Sequence, residues 1–328
     1  MMFTKLDQQV IDRLCCPLCK APIAGHDPQA DSFLCRACNT KYPRVTVSHT
    51  NHEEYVYDFR VHRPAYSVPV GVARWSLTQA EYEDSCHGER GRTDVLATYL
   101  KEIDSVREIY RVEFPDIRGS VLDLGGYQGT LRYYLLPANV PLYVCVDPLL
   151  DAFRGLESQP NLLKAYPSLS EPCNFLSCHA EHLPFAANSF DWVHMRSVLD
   201  HFEDPFLAIK ETYRVLKPGG AILIGLTVYG GQSSLKAPDE GWSSPAHWSG
   251  LVARIFTKVR MDGMSGLLKT AASTLKRRQF PGARDEHTFQ WKYDDLLDLL
   301  STTHFSVAKE HWQKPPFTMC VYVLARRD

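Results

Sequence analysis

Four cysteines and one run of glycines carry the first chemistry that can be read from this chain. Cys16 and Cys19 enclose two residues, Cys35 and Cys38 enclose two more, and fifteen residues separate the pairs. Each C-x2-C pair turns two thiolates toward one point, and two pairs close a tetrahedral four-sulfur site of the kind that holds zinc. Four thiolates leave no open coordination position, so the expected role is structural. Cys15 is an alternative ligand, although Cys16-Pro-Leu-Cys19 keeps the better spacing. A segment of about forty residues buries little core of its own. Metal binding would then supply most of its folding free energy, on the order of 10 kcal/mol.

The glycines lie in Val121-Leu-Asp-Leu-Gly-Gly-Tyr-Gln-Gly129, an apolar strand that stops on an acid and breaks into a turn. Glycines there allow a tight bend and let a ligand lie against bare backbone. One βα unit later, Leu142-Tyr-Val-Cys-Val-Asp147-Pro148 is a second apolar strand ending in a carboxylate. An acid at that strand tip suits hydrogen bonding to ribose hydroxyls. A nicotinamide-type G-x-G-x-x-G is not what stands here, because Gly125-Gly126-Tyr127-Gln128-Gly129 does not fit it.

With the phrases VLDLGG, AEHLPFAANSFDWV and E-x-x-RVLKPGG in this order, residues 90–328 resemble the class I S-adenosylmethionine-dependent methyltransferases of the type 11 subgroup. The resemblance implies a doubly wound, seven-stranded, Rossmann-like α/β sheet. It implies S-adenosylmethionine as cofactor, shaped by Asp123, Gly125, Gly126 and Gly129, with Asp147 on the ribose and His179, Ala180 and Glu181 flanking the adenine. Two positions depart from the family pattern. Tyr127 replaces its middle glycine, with Gly126 expected to supply the lost flexibility, and His179 stands where many relatives carry Asp. The catalytic candidates lie just beyond the fourth strand: His201 as a general base, because an imidazole titrates near neutrality, with Asp200 beside it. His287, before a late helix, resembles another cavity position. The N-terminal cysteine module is similar in arrangement to zinc ribbons fused to, or paired with, methyltransferases.

Several elements must position these residues. Residues 1–48 read as the ribbon, opened by a short amphipathic helix over 1–14. Residues 49–89, rich in His, Tyr and Pro, read as a linker that covers the cofactor. A helical pattern runs from Gly91 to Phe114 and ends at Pro115. Strands are expected near 120–124, 142–147, 174–178, 191–196 and 221–228, with helices to about 136, over 149–158 and over 204–216. After the fifth strand, residues 229–284 read as a lid insertion. Residues 251–280 of it hold seven Lys or Arg and one acid, Asp262. A helix at 291–302 and two strands then close the sheet.

Composition narrows the function. The 328 residues are 45% hydrophobic, enough for one large domain and a small appendage. A net charge of −2 brings no global pull toward nucleic acid. No apolar run is long enough to span a membrane, the N-terminus lacks a signal-peptide pattern, and a cytoplasmic location is the expectation. The favoured reading is methyl transfer to a small organic acceptor. Two alternatives stay open: an RNA methyltransferase that grips RNA with the ribbon and basic insertion, and a non-catalytic cofactor-binding adaptor whose ribbon docks a protein partner.

Overall fold

A computed structural model describes residues 3–23, 31–48, 53–61, 94–235, 290–313 and 319–328. The strands, in chain order, are β1 (Thr4–Lys5), β2 (Ser32–Leu34), β3 (Lys41–Ser48), β4 (Glu53–Asp58), β5 (Ser120–Leu124) and β6 (Leu142–Asp147). They continue with β7 (Cys173–Ser177), β8 (Phe190–Arg196), β9 (Leu216–Thr227), β10 (Phe305–Trp312) and β11 (Cys320–Arg327). The α-helices are α1 (Gln8–Ile11), α2 (Leu96–Glu108), α3 (Pro160–Ala165), α4 (Pro205–Val215) and α5 (Tyr293–Thr302).

One sheet runs through the described residues in the order β10-β11-β9-β8-β5-β6-β7-β4-β3-β2, with β1 also on β7. The run β9-β8-β5-β6-β7 is parallel, and β11 and β10 join it antiparallel. Chain order reverses between β5 and β8, so a ligand crevice is expected outside their carboxyl ends. Side chains alternate across the sheet as the two-residue period of a strand requires. Leu122, Val144, Leu176, Val193 and Ile222 join one core with Ala208 and Ile209 of α4 and Leu296 and Leu300 of α5. Val121, Cys145, Phe175 and Trp192 face the other, with Ile103 and Val106 of α2. That is the doubly wound layering.

Helix α4 shows how local sequence sets a boundary. Asp204 caps it by accepting the Leu207 N–H (3.0 Å), and Pro205 occupies the first helical position, where its missing N–H costs nothing.

The N-terminal region departs from expectation. The amphipathic helix over 1–14 is instead β1, which pairs Thr4 with Cys173 and Lys5 with Asn174, followed by the single turn α1. Within the expected linker 49–89, residues 53–58 are β4, which pairs with β3 on one side and with β7 on the other. The ribbon therefore extends the central sheet rather than hanging from it. Phe33 and Tyr42 of the ribbon pack with Tyr57 and Phe59 in the same core as α4 and α5. Cys15 N–H donates to the Pro184 carbonyl (2.9 Å), and Ala186 N–H to that of Arg13 (2.7 Å).

Two helical expectations shrink. The helix after β5, expected to reach 136, is only the 3-10 turn Thr130–Tyr133. The 149–158 helix is a set of turns ending in Leu156–Ser158, and the regular helix, α3, starts at Pro160. The basic stretch 251–280, and most of the 229–284 insertion, lie outside the described residues.

Candidate cofactor cleft and metal centre

The glycine turn closes against the tip of β6. Gly125 N–H donates to the Val146 carbonyl (2.8 Å), and Gly129 N–H to that of Gly126 (2.7 Å). The Asp147 carboxylate accepts the Tyr127 N–H on Oδ2 (3.1 Å) and the Leu149 N–H on Oδ1 (2.9 Å). Each carboxylate oxygen has capacity for a further donor, so Asp147 can order the loop and still receive ribose hydroxyls.

The loop solves its glycine problem in an unexpected way. Tyr127 itself takes the left-handed conformation (φ +49°) that the missing glycine would adopt, at a cost of about 1 kcal/mol. Gly126 is not left-handed and does not supply flexibility. It is needed for room, because a Cβ there would sit 2.5 Å from Asp123 Oδ2 and 2.7 Å from Cys145 Sγ. Gly129 has φ +75° and turns the chain into Thr130–Tyr133.

The opposite wall is Cys178–Glu181 with the turn after β8. Leu124, Gly125, Asp147, His179, Ala180, Glu181, Val198, His201 and Phe202 line one cleft that opens to solvent. Glu181 is nearly buried, and its Oε1 accepts the N–H groups of Glu203 (2.8 Å) and Asp204 (3.0 Å). Its side chain thus holds the turn leading into α4. Burial pushes its carboxyl up to about 7. His201 reaches the cleft, whereas Asp200 is buried and is not among the lining residues. His287 lies outside the described residues.

A second lobe adjoins the first at Gly125 and Val198, lined further by Tyr110, Asp123, Gly126, Tyr127, His194 and Arg196. A chain of polar groups forms its floor. Tyr110 Oη lies 2.8 Å from His194 Nε2, and His194 Nδ1 lies 2.7 Å from Asp123 Oδ1. Tyr143 donates its hydroxyl to Asp123 Oδ2. Burial pushes both phenols well above their ordinary range, so they stay protonated donors. Arg196 Nε donates to Tyr322 Oη (3.1 Å). Burial disfavours its charge, but the surroundings of Tyr322, Tyr110 and Glu102 outweigh that and keep the guanidinium charged.

His194, Arg196 and Tyr110 line this lobe, and no motif in the sequence marks any of them. The usable signal for Arg196 was a cation at the carboxyl tip of a mostly buried strand. Tyr110 carried none, because its helix reaches the lobe only through tertiary packing.

At the other end of the cleft wall, the ligand sulfurs of Cys16, Cys19, Cys35 and Cys38 all lie within 4.8 Å of one another. The Sγ atoms of Cys16 and Cys38, and those of Cys19 and Cys35, are 3.5 Å apart. A tetrahedron with zinc–sulfur bonds of about 2.3 Å needs sulfurs roughly 3.8 Å apart, so the donor set fits zinc. Each C-x2-C pair is followed by a left-handed residue, Lys20 (φ +61°) and Asn39 (φ +59°), that turns the chain back. The Cys19 N–H points at Cys16 Sγ (3.5 Å). Cys15 is buried, and its sulfur is not part of the cluster.

The fold is a doubly wound α/β sheet with a cleft at its switch point, and part of the chain is similar to known proteins. A family described as "Methyltransferase domain" matches residues 122–224, about a third of the chain. A ubiquinone/menaquinone biosynthesis C-methyltransferase of Haemophilus ducreyi is 49% identical over 51 residues, covering 16% of this chain and 20% of that protein. The enzyme of the same description from Agrobacterium fabrum is 31% identical over 104 residues, 32% of this chain and 39% of that protein. The chain thus spans between a fifth and two-fifths of the length of these curated relatives. Among solved structures, a 1,6-didemethyltoxoflavin-N1-methyltransferase of Burkholderia thailandensis is 15% identical, covering 92% of this chain and 98% of that one, at a TM-score of 0.48. No helix among the described residues is long and apolar enough to cross a membrane.

Proposed function

We propose that this chain is an S-adenosylmethionine-dependent methyltransferase acting on a small organic acceptor, with a structural zinc at Cys16, Cys19, Cys35 and Cys38. The observation that carries the reading is Asp147, at the tip of β6 beside the switch point, bound to the glycine loop and lining the cleft. In this reading the nucleoside end of the cofactor lies in the first lobe, with Asp147 receiving ribose hydroxyls and His179, Ala180 and Glu181 against the base. The amino-acid end lies in the second lobe, where Arg196 is the cation for its carboxylate.

The bound cofactor supplies an activated methyl group on sulfur. This chain's residues then have mainly to align an acceptor with it, since displacement at an activated carbon is limited by geometry. Gly125, Val198 and Phe202 present an apolar surface to the cleft. His201, on that same surface, is within the cleft as the group to take a proton from an acceptor that carries one.

The test uses methyl-labelled S-adenosylmethionine with the protein and a cell lysate split into metabolite, RNA and protein fractions. Label in metabolites is the expected result. Label confined to RNA would replace the acceptor assignment with the nucleic-acid one. No label anywhere, together with no cofactor binding, would sink the enzymatic reading.

A further inference from the structure

Glu211, on α4, sits between the first cysteine knuckle and the wall of the cleft, its side chain only 9% exposed. Its Oε2 accepts from Lys20 Nζ (2.6 Å), from the Leu183 N–H (3.0 Å) and from Arg214 Nη2 (2.8 Å). Its Oε1 accepts from Arg214 Nε (2.8 Å). Arg214 in turn donates to the carbonyls of Phe185 (2.6 Å) and Leu183 (3.2 Å). The segment 183–185 is thus held by one carboxylate and one guanidinium on one side. On the other it is held by the backbone bonds of Cys15 to Pro184 and of Ala186 to Arg13. Immediately before it, His179, Ala180 and Glu181 line the cleft.

Lys20 links the two sites. It is the left-handed residue that closes the Cys16–Cys19 knuckle, with its N–H on the Cys16 carbonyl (2.8 Å). Glycine or asparagine suits that conformation better, but neither has an ammonium to reach Glu211. Burial pushes the Glu211 carboxyl up, yet Arg214 and Lys20 outweigh it and hold it below the usual range, so it stays an anion that needs its cations.

We propose that the ribbon is a clamp built into the chain for the base-side wall of the cleft. Lys20 and Glu211 are its positioning residues, and metal at the four cysteines and S-adenosyl ligand in the cleft bind cooperatively through them. The proposal rests on the cofactor reading of the cleft. Metal fixes the knuckle, the knuckle fixes the backbone from which Lys20 reaches, and Lys20 with Glu211 holds Leu183 and so the wall. Coupling of this kind is reciprocal. If metal tightens ligand binding by some factor, ligand must tighten metal binding by the same factor.

The experiment measures S-adenosylhomocysteine affinity by calorimetry on the full zinc-loaded chain. It then measures zinc release to a chromogenic chelator with and without that ligand. In the parent protein, saturating ligand is expected to tighten zinc by about 5-fold or more. Lys20→Met is expected to keep its zinc content, bind the ligand about 5-fold more weakly, and lose the effect of ligand on zinc. Lys20→Arg is expected to restore both, which a merely structural role for the lysine would not predict. No ligand binding by the parent would overturn the cofactor reading itself. Ligand binding by the parent with equal affinity in Lys20→Met, and zinc release indifferent to ligand, would overturn the clamp while leaving that reading intact. Lys20→Met that fails to fold shifts the decision to the parent's zinc release, which needs no variant.

Discussion

The two walls of the cleft are built on different principles. The glycine-loop wall is made from one short stretch of chain. Gly125, Gly126, Tyr127 and Gly129 fold on each other and on Asp147, and the loop even carries a tyrosine in a left-handed conformation to do so. The Cys178–Phe185 wall has almost no structure of its own. Cys178–Phe185 holds a 3-10 turn at Ala180–His182 and otherwise takes its shape from Glu211, Arg214, Lys20 and the ribbon backbone. A local wall is recognisable as a motif and fails when its own residues change. A borrowed wall fails when something distant does.

The largest test of the local wall is Asp147→Ala. It removes two loop bonds and the carboxylate proposed to receive the ribose hydroxyls, and loss of two charge-assisted bonds at about 1.5 kcal/mol each is expected to weaken S-adenosylhomocysteine binding by about 100-fold. Unchanged affinity in a titration would remove Asp147 from the ribose. For the borrowed wall, stripping the metal with a chelator is the matching insult. Hydrogen exchange is then expected to speed at least about tenfold at the Cys15 and Ala186 amides, while the Gly125 amide stays protected. Protection retained at Ala186 would show that the wall stands alone.

A smaller effect is expected from Gly126→Ala, whose Cβ meets Asp123 and Cys145 far inside van der Waals contact. The cost should be about 1–3 kcal/mol of stability, as for overpacking generally, seen as a lowered Tm of the ligand-free protein. An unaltered Tm would mean the loop has slack it does not show. The effect at Glu181 is one of pH dependence. Its folded pKa of about 7 lies above the ordinary 4.5. Between those values the folded protein keeps a proton that the unfolded chain has released, so stability falls as pH rises through the window. The slope is at most about 1.4 kcal/mol per pH unit. Glu181→Gln keeps an acceptor for the Glu203 and Asp204 amides and should flatten that slope in denaturation at pH 5 and pH 7. A slope that persists assigns it to another group.

Much of the local wall was legible in the sequence, because strand, acid and glycines are contiguous there. The four cysteines were legible for the same reason: spacing alone brings each pair together. What misled was the region between them and the domain. Glu53-Glu-Tyr-Val-Tyr-Asp58 has the alternation of a strand, but charged and His-rich neighbours made it read as linker. Its reason to be a strand is the open edge of β7, which lies more than a hundred residues away. The helix expected after β5 failed for a related reason. Leu131 and Tyr134 are buried against Tyr110 and Tyr166, and that packing, with Pro137 shortly after, is met by a single tight turn.

The sequence by itself determined the parallel core, the glycine turn, the acid at the tip of β6 and the four-cysteine cluster, since each depends on residues close along the chain and on the period of a strand. Only the tertiary structure decided that the ribbon continues the sheet, that Lys20 meets Glu211, and that His194 joins Asp123 to Tyr110. These contacts join residues from about 70 to 190 positions apart. Their partners are chosen by which sheet edge and which buried carboxylate are left to satisfy, and no local pattern encodes that.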